Sequence, residues 1–144
     1  MIKKIVVVGC GKIFQKHLEA IKIQEKKINL KLIAVCDKNL SQIKTVNLGK
    51  IKRYTHISEL IKNEKFDIVS ILTPSGYHYK NAIQFAGKAK SIIIEKPLTL
   101  KISDAKKLTT ICNKKGTNIY IVLQNRLNDS VVELKKAIDQ NFFG

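Results

Sequence analysis

The chain has 144 residues, 44% of them hydrophobic and 26% charged, with a formal net charge of +16. That length and balance suit one globular domain with apolar material for its own core, and no apolar run approaches the roughly 20 residues that span a bilayer. Of 27 basic residues only Arg53 and Arg126 are arginine, and the lysines are scattered, so the charge reads as a solvated basic surface; neither nucleic acid nor membrane is expected as a partner.

The first apolar run, 3–9, is too short for a secretory leader and is followed by glycines rather than a cleavage site, so a cytoplasmic protein is expected. It reads as a buried strand ending in Gly9-Cys10-Gly11-Lys12-Ile13-Phe14. Gly9 permits a tight turn, Gly11 permits close approach of backbone to a pyrophosphate, and the amides at Lys12 and Ile13 open a helix whose N-terminus attracts phosphate. Phe14 stands where such a motif usually has a small residue, which predicts looser contact between helix and strand. Ile13, His17, Ala20 and Ile21 line one face of that helix, with His17 packed inward.

A second strand, 30–37, closes on Asp37, 26 residues beyond Gly11. A carboxylate there can hold the adenosine ribose hydroxyls and repels a 2′-phosphate, so NAD is the expected cofactor; Lys38 beside it weakens the preference. The alternative is an aspartate that caps the next helix. A short strand at 52–54 precedes a helix at 58–64, and His56 between them is taken as structural.

A further strand, 67–73, leads into Thr73-Pro74-Ser75-Gly76-Tyr77-His78. Pro74 ends the strand, Ser75 can hydrogen-bond a ligand or cap the next helix, and His78 is placed on the first turn facing the crevice. A capping turn with a surface histidine is the competing reading. Ala82, Ile83, Phe85 and Ala86 belong to the helix that follows.

The strand 91–95 ends in Glu95-Lys96-Pro97, a charged pair that an apolar strand would deliver into the crevice. Desolvation there would suit Lys96 to proton transfer, with Pro97 able to aim it through a cis bond. A helix at 103–115 opens on Ser103 as N-cap and stops before Gly116. The last strand, 118–123, leads to Gln124-Asn125-Arg126, suited either to an anionic ligand or to a plain loop salt bridge. A final helix is expected over 128–140.

Strands alternating with helices, and apolar throughout, predict a doubly wound α/β fold of Rossmann type with a parallel sheet and a crevice at the strands' carboxyl ends. Cys10, Cys36 and Cys112 form no Cys-x-x-Cys pair and read as buried reduced thiols; no metal ligand set and no covalent nucleophile set is expected.

Gly9-Cys10-Gly11, Asp37, Thr73-Pro74-Ser75-Gly76 with His78, and Glu95-Lys96-Pro97 together resemble the Gfo/Idh/MocA oxidoreductase family over essentially the whole chain, with Glu95-Lys96-Pro97 the most specific element. The stretch Gln124-Asn125-Arg126-Leu127-Asn128 is most similar to the branch that oxidises the 3-hydroxyl of UDP-N-acetylated sugars. The resemblance implies that Lys96 contacts the substrate hydroxyl as the catalytic residue. It implies that Glu95 supports the nicotinamide ribose, that Thr73, Pro74, Ser75 and His78 line the cofactor, and that Asn125 and Arg126 face the substrate. It also implies a Rossmann domain over residues 1–123 and, over 124–144, the start of a connection to a second α/β domain. A chain without that second domain binds NAD but turns nothing over, and the longer form is a homo-oligomer. The alternatives are an inositol or simple-sugar dehydrogenase, or a non-catalytic nucleotide-binding sensor module.

Overall fold

The computed structural model describes residues 2–44 and 48–143; residues 1 and 144, at the outer ends of the two expected segments, lie outside the described residues. The strands are β1 (Lys3–Val8), β2 (Leu30–Cys36), β3 (Lys52–Tyr54), β4 (Ile68–Ile71), β5 (Ser91–Ile94) and β6 (Asn118–Ile121). Among the described residues they pair in parallel in the order β3-β2-β1-β4-β5-β6. The order reverses between β1 and β4, which is where a doubly wound sheet opens a ligand crevice. The expected Rossmann-type α/β fold is the one observed.

The continuous apolar runs are explained by cover on both faces. Alternate residues of one strand enter opposite layers: Val6 and Val8 join Ala34, Val69 and Ile92 on one side, while Ile5 and Val7 join Leu32 and Val35 on the other. The second layer is covered by α1 (Phe14–Ile28) and α2 (Leu40–Lys44); the first by α3 (Ile57–Asn63), α4 (His78–Ala82) and α5 (Ile102–Lys114). A final helix, α6 (Asp129–Asp139), carries no buried residue and is capped by the Asn128 side chain, which accepts from the Ser130 amide.

Three local expectations need correction. The inner face of α1 is Phe14, Leu18 and Ile21, with Ile13 packed against it and His17 half-buried, so of the expected set only Ala20 is exposed. Phe14, far from loosening the packing, opens the helix and drives its ring into the core at 1% exposure. Ser103 is not the N-cap of α5: the helix starts at Ile102, and the Lys101 carbonyl accepts from the Asp104 and Ala105 amides without any side-chain cap. Its other end follows expectation. Gly116 sits at φ +67°, its amide donates to the Asn113 carbonyl, and Thr117 donates to Cys112, the paired bonds of a left-handed helix stop.

At the sheet's amino edge Asp67 ties three strands. Its carboxylate accepts from the Lys4 amide at 3.0 Å and faces the Lys90 ammonium at 3.0 Å, and its backbone bonds both to Lys4 and to Lys90 and Ser91. The Lys4 amide first, then Lys90, holds the Asp67 carboxyl below its usual range. The stabilisation this implies is present above the unfolded value of about 3.9 and is lost as pH falls through the lower folded value, so Asp67→Asn is expected to flatten the acid limb of a stability–pH curve. Phe14→Ala should cost about 3–5 kcal/mol in urea unfolding; a loss under 1 kcal/mol would contradict its place in the core.

Candidate functional site

Gly9 follows β1 with φ +99°, and a Cβ on it would stand 2.7 Å from the Leu72 carbonyl carbon and 2.8 Å from the Thr73 nitrogen. Only a residue without a side chain lets the end of β1 pass the end of β4 this closely. Gly11 differs: a Cβ there would meet nothing within 4 Å, because it faces open space. That space is a cavity of about 820 Å³ at the carboxyl edge of the sheet, walled by Gly9, Gly11, Lys12 and Ile13 on one side and Asp37, Thr73 and Pro74 on others. The sequence-predicted residues of the glycine turn, of β2's end and of the start of the Thr73 loop are therefore brought together.

The start of α1 suits an anion. Its N-cap residue, Ile13, supplies no side-chain hydrogen bond and its first turn has no acidic residue, so the helix N-terminus beside Gly11 keeps its positive end for a ligand. Asp37 braces the turn: Oδ2 accepts from the Cys10 amide at 2.7 Å, and Oδ1 accepts from Asn39 at 2.9 Å. The competing reading of Asp37 as a local cap is thus partly present, since the Asn39 bond is of that kind, while the same carboxylate faces the cavity. Cys10, within the turn, and Cys36, before Asp37, are buried free thiols; burial first, then the Asp37 charge, pushes each up to about 12, which leaves them protonated and unreactive.

The remaining predicted residues are placed differently. Ser75 begins a 3-10 turn, Ser75–Tyr77, and its carbonyl accepts from the His78 amide; it is not on the cavity wall. His78 does not face the crevice. It is 1% exposed, with Nδ1 2.7 Å from the Pro97 carbonyl oxygen and Nε2 2.7 Å from that of Thr73. Both neighbours are acceptors, so a neutral ring donates to one of them and an imidazolium to both; donation from Nδ1 to Pro97 ties the loop after β4 to the loop after β5. The Lys96–Pro97 bond is cis.

Glu95 is largely buried, and its Oε1 lies 2.8 Å from Nε2 of His17, whose side chain is also largely covered. Its Oε2 accepts from the Lys96 amide at 3.3 Å. His17, expected merely to pack, thus joins α1 to the Glu95-Lys96-Pro97 turn across 78 residues of sequence. Lys96 is exposed, so the desolvation expected from its strand is not supplied by the described residues. Asn125 and Arg126 lie in a 3-10 turn, Gln124–Leu127, exposed and apart from the cavity wall.

Sequence reasoning missed the wall opposite the glycine turn. Tyr77, Lys80, Asn81 and Gln84 all line the cavity, and their spacing of three, one and three places them on one helical face. Thr55 and His56, after β3, line it too, so His56, expected as structural, stands on the cavity wall. The signal available was position for Thr55 and His56, which directly follow β3; Tyr77, Lys80, Asn81 and Gln84 lie beyond the loop after β4.

A model of the oxidoreductase family with an NAD-binding Rossmann fold, Gfo/Idh/MocA, matches residues 3–123. The chain belongs to this family. The Gfo/Idh/MocA domain is similar to a myo-inositol 2-dehydrogenase of Thermotoga maritima, 26% identical over 98% of this chain and 42% of that protein. It is similar also to an inositol 2-dehydrogenase/D-chiro-inositol 3-dehydrogenase of Halalkalibacterium halodurans, 28% identical over 96% and 40%. The crystal structure of the WlbA dehydrogenase from Bordetella pertussis, in complex with NADH and UDP-GlcNAcA, superposes with a TM-score of 0.91 at 28% identity, covering 100% of this chain and 44% of that one. The chain therefore spans less than half the length of these relatives. NAD is the cofactor of the domain, and the open space over Gly11, the uncapped α1 and Asp37 fit it.

With NAD in that cavity, Asp37→Ala is expected to weaken NADH binding about tenfold, because a charge-assisted hydrogen bond to the ribose is lost, and to weaken NADPH binding less. Equal losses of the two in a fluorescence titration would count against contact between Asp37 and the ribose.

Proposed function

We propose that this chain is the dinucleotide-binding part of an NAD-dependent sugar dehydrogenase that oxidises the 3-hydroxyl of a UDP-N-acetylated sugar or its uronate, as a UDP-N-acetyl-2-amino-2-deoxyglucuronate dehydrogenase does. The observation that carries the reading is convergence at one sheet edge. A phosphate-type turn braced by Asp37 and the cis-prolyl Lys96 turn stand at the ends of β1 and β5, and His17 and Glu95 join them. The likeness to the Bordetella dehydrogenase, whose structure holds NADH and UDP-GlcNAcA, supports a nucleotide sugar. The basic charge of +16 favours encounter with so anionic a molecule.

NAD, when bound, supplies the acceptor for the hydride leaving the sugar carbon. The chain's own residues hold and aim. Gly9, Gly11, Lys12 and Ile13 would receive the pyrophosphate, Asp37 would take the ribose hydroxyls, and Thr73 and Pro74 would flank the cofactor, with Ser75 next to them in the chain but off the cavity wall. Glu95 supports the nicotinamide ribose while its Oε2 holds the Lys96 amide. Lys96 would take the proton of the substrate hydroxyl. His78 acts one step away by fixing the Thr73 and Pro97 carbonyls between which these groups stand. Asn125 and Arg126 face the sugar nucleotide.

Residues 1–123 form the cofactor domain in this reading, and 124–144 begin a connection to a second, substrate-binding domain. The bare, uncovered helix α6 supports that division. The longer form is a homo-oligomer of the cytoplasm, where the three free cysteines stay reduced. A second reading, an inositol dehydrogenase, is favoured by the two inositol-acting relatives.

The 144-residue chain should bind NADH yet form none from any sugar; sugar-dependent NADH formation by it alone would refute the need for a second domain. In a form as long as the relatives, UDP-N-acetylated uronates should be oxidised faster than myo-inositol, and Lys96→Met should lower kcat by about a hundredfold or more. The opposite substrate order would establish the inositol reading.

A further inference from the structure

A histidine and a carboxylate meet at the sheet's carboxyl edge. His17, in the first turn of α1, places Nε2 2.8 Å from Oε1 of Glu95, and the two side chains are only 18% and 14% exposed. A pair this far out of water is weakly screened, so its net charge is felt by whatever lies beside it. With the carboxylate ionised, the pair is neutral when His17 is an imidazolium and singly negative when the ring is neutral. Histidine passes between those forms across about pH 5 to 8. The other charged groups of these segments are Lys12 before the helix, Lys16 beside His17, Lys96 beside Glu95, and Asp37 at the end of β2. The three lysines are exposed, and among the described residues none of them forms an ion pair. Asp37 is engaged by the Cys10 and Asn39 amides. The remaining histidines stand elsewhere, His56 on the wall beyond β3 and His78 between the Thr73 and Pro97 carbonyls.

With the adenosine ribose at Asp37, the end of β2, and the phosphates at the turn after β1, the rest of the dinucleotide has one direction left. The strand order runs on from β1 to β4 and β5, so the nicotinamide half falls on the side where β5 ends in Glu95. NAD+ and NADH differ in charge at that half alone: the nicotinamide ring of NAD+ is a cation, and that of NADH is neutral. A singly negative pair attracts the cation, and a neutral pair does not. We propose that the His17–Glu95 pair sets the relative affinity of this site for NAD+ and NADH. It favours NAD+ while the His17 ring is neutral and gives up that preference when the ring is protonated. Glu95 is the group beside the cofactor, and His17 acts through it as a positioning residue. The proposal rests on the cavity being the dinucleotide site.

Titration of the 144-residue chain with NADH by cofactor fluorescence, and displacement of NADH by NAD+, test it between about pH 5.5 and 8.5. The NADH dissociation constant divided by that of NAD+ should fall about fivefold from the upper to the lower end. His17→Gln, whose amide can still donate to Oε1, should hold the ratio at its upper value throughout. Glu95→Gln should lower the ratio even at the upper end, because the attracting charge is gone. Lys96→Met should keep the fall with pH. ADP-ribose, which has no nicotinamide ring, should displace NADH from His17→Gln as well as from the natural chain. A second reading needs no substitution: in ring-proton NMR of the natural chain, His17 should take up its proton at higher pH with NADH bound than with NAD+. A ratio that does not change with pH, an equal fall in His17→Gln, or coincident NMR titrations would overturn the role of the pair while leaving the dinucleotide site standing. Failure of NADH, NAD+ and ADP-ribose all to bind the natural chain would remove the site and the proposal together.

Discussion

A side chain on residue 9 would collide with the backbone of Leu72 and Thr73, so β1 and β4 can lie side by side at their carboxyl ends only because residue 9 is glycine. Their pairing continues past the strands, with the Leu72 amide donating to the Val8 carbonyl at 2.7 Å and the Gly9 amide donating to Cys36 at 2.8 Å. These bonds bring the ends of β2, β1 and β4 to one line. From that line the chain must leave in opposite directions, α1 to one face and the Thr73 loop to the other, and the gap between the departing chains is the cavity. The site is thus a by-product of sheet closure at one residue, and every group on its wall inherits its place from that closure.

Departing loops would be soft without ties, and three polar side chains supply them. Asp37 holds the glycine turn through Cys10, His17 holds Glu95, and His78 holds Thr73 and Pro97. Each links the end of one strand to an element reached through another, and together they make the carboxyl edge a connected rim. Such contacts are strongest where water is scarce, and His78, fully buried, meets that condition best.

Much of this was legible in the sequence because it rests on residue type and position. Gly9 and Asp37 are dictated by local geometry and by their place at strand ends, and uninterrupted Val and Ile runs disclose strands covered on both faces. The ties of His17 and His78 were not legible. Their partners are 78 and 19 residues away, and a histidine's neighbours across a fold leave no periodic trace. Phe14 was misjudged because the usual small residue at that position allows close contact, whereas here the ring itself fills the gap between helix and sheet. The Tyr77–Gln84 wall was obscured because α4 is short and passes into a 3-10 turn, Ile83–Phe85, which blunts the helical period.

Among the described residues β6 is an edge strand of the sheet, with its own Tyr120 and Ile121 exposed, and α6 presents Val131, Leu134 and Ile138 to solvent. An open edge next to apolar surface invites copies of the chain to stack strand on strand, and what opposes that is the mutual repulsion of molecules each carrying +16. The range of that repulsion is the Debye length, about 8 Å at physiological ionic strength and shorter in concentrated salt. The lysine-rich surface therefore opposes self-association of this domain, and added salt weakens that opposition.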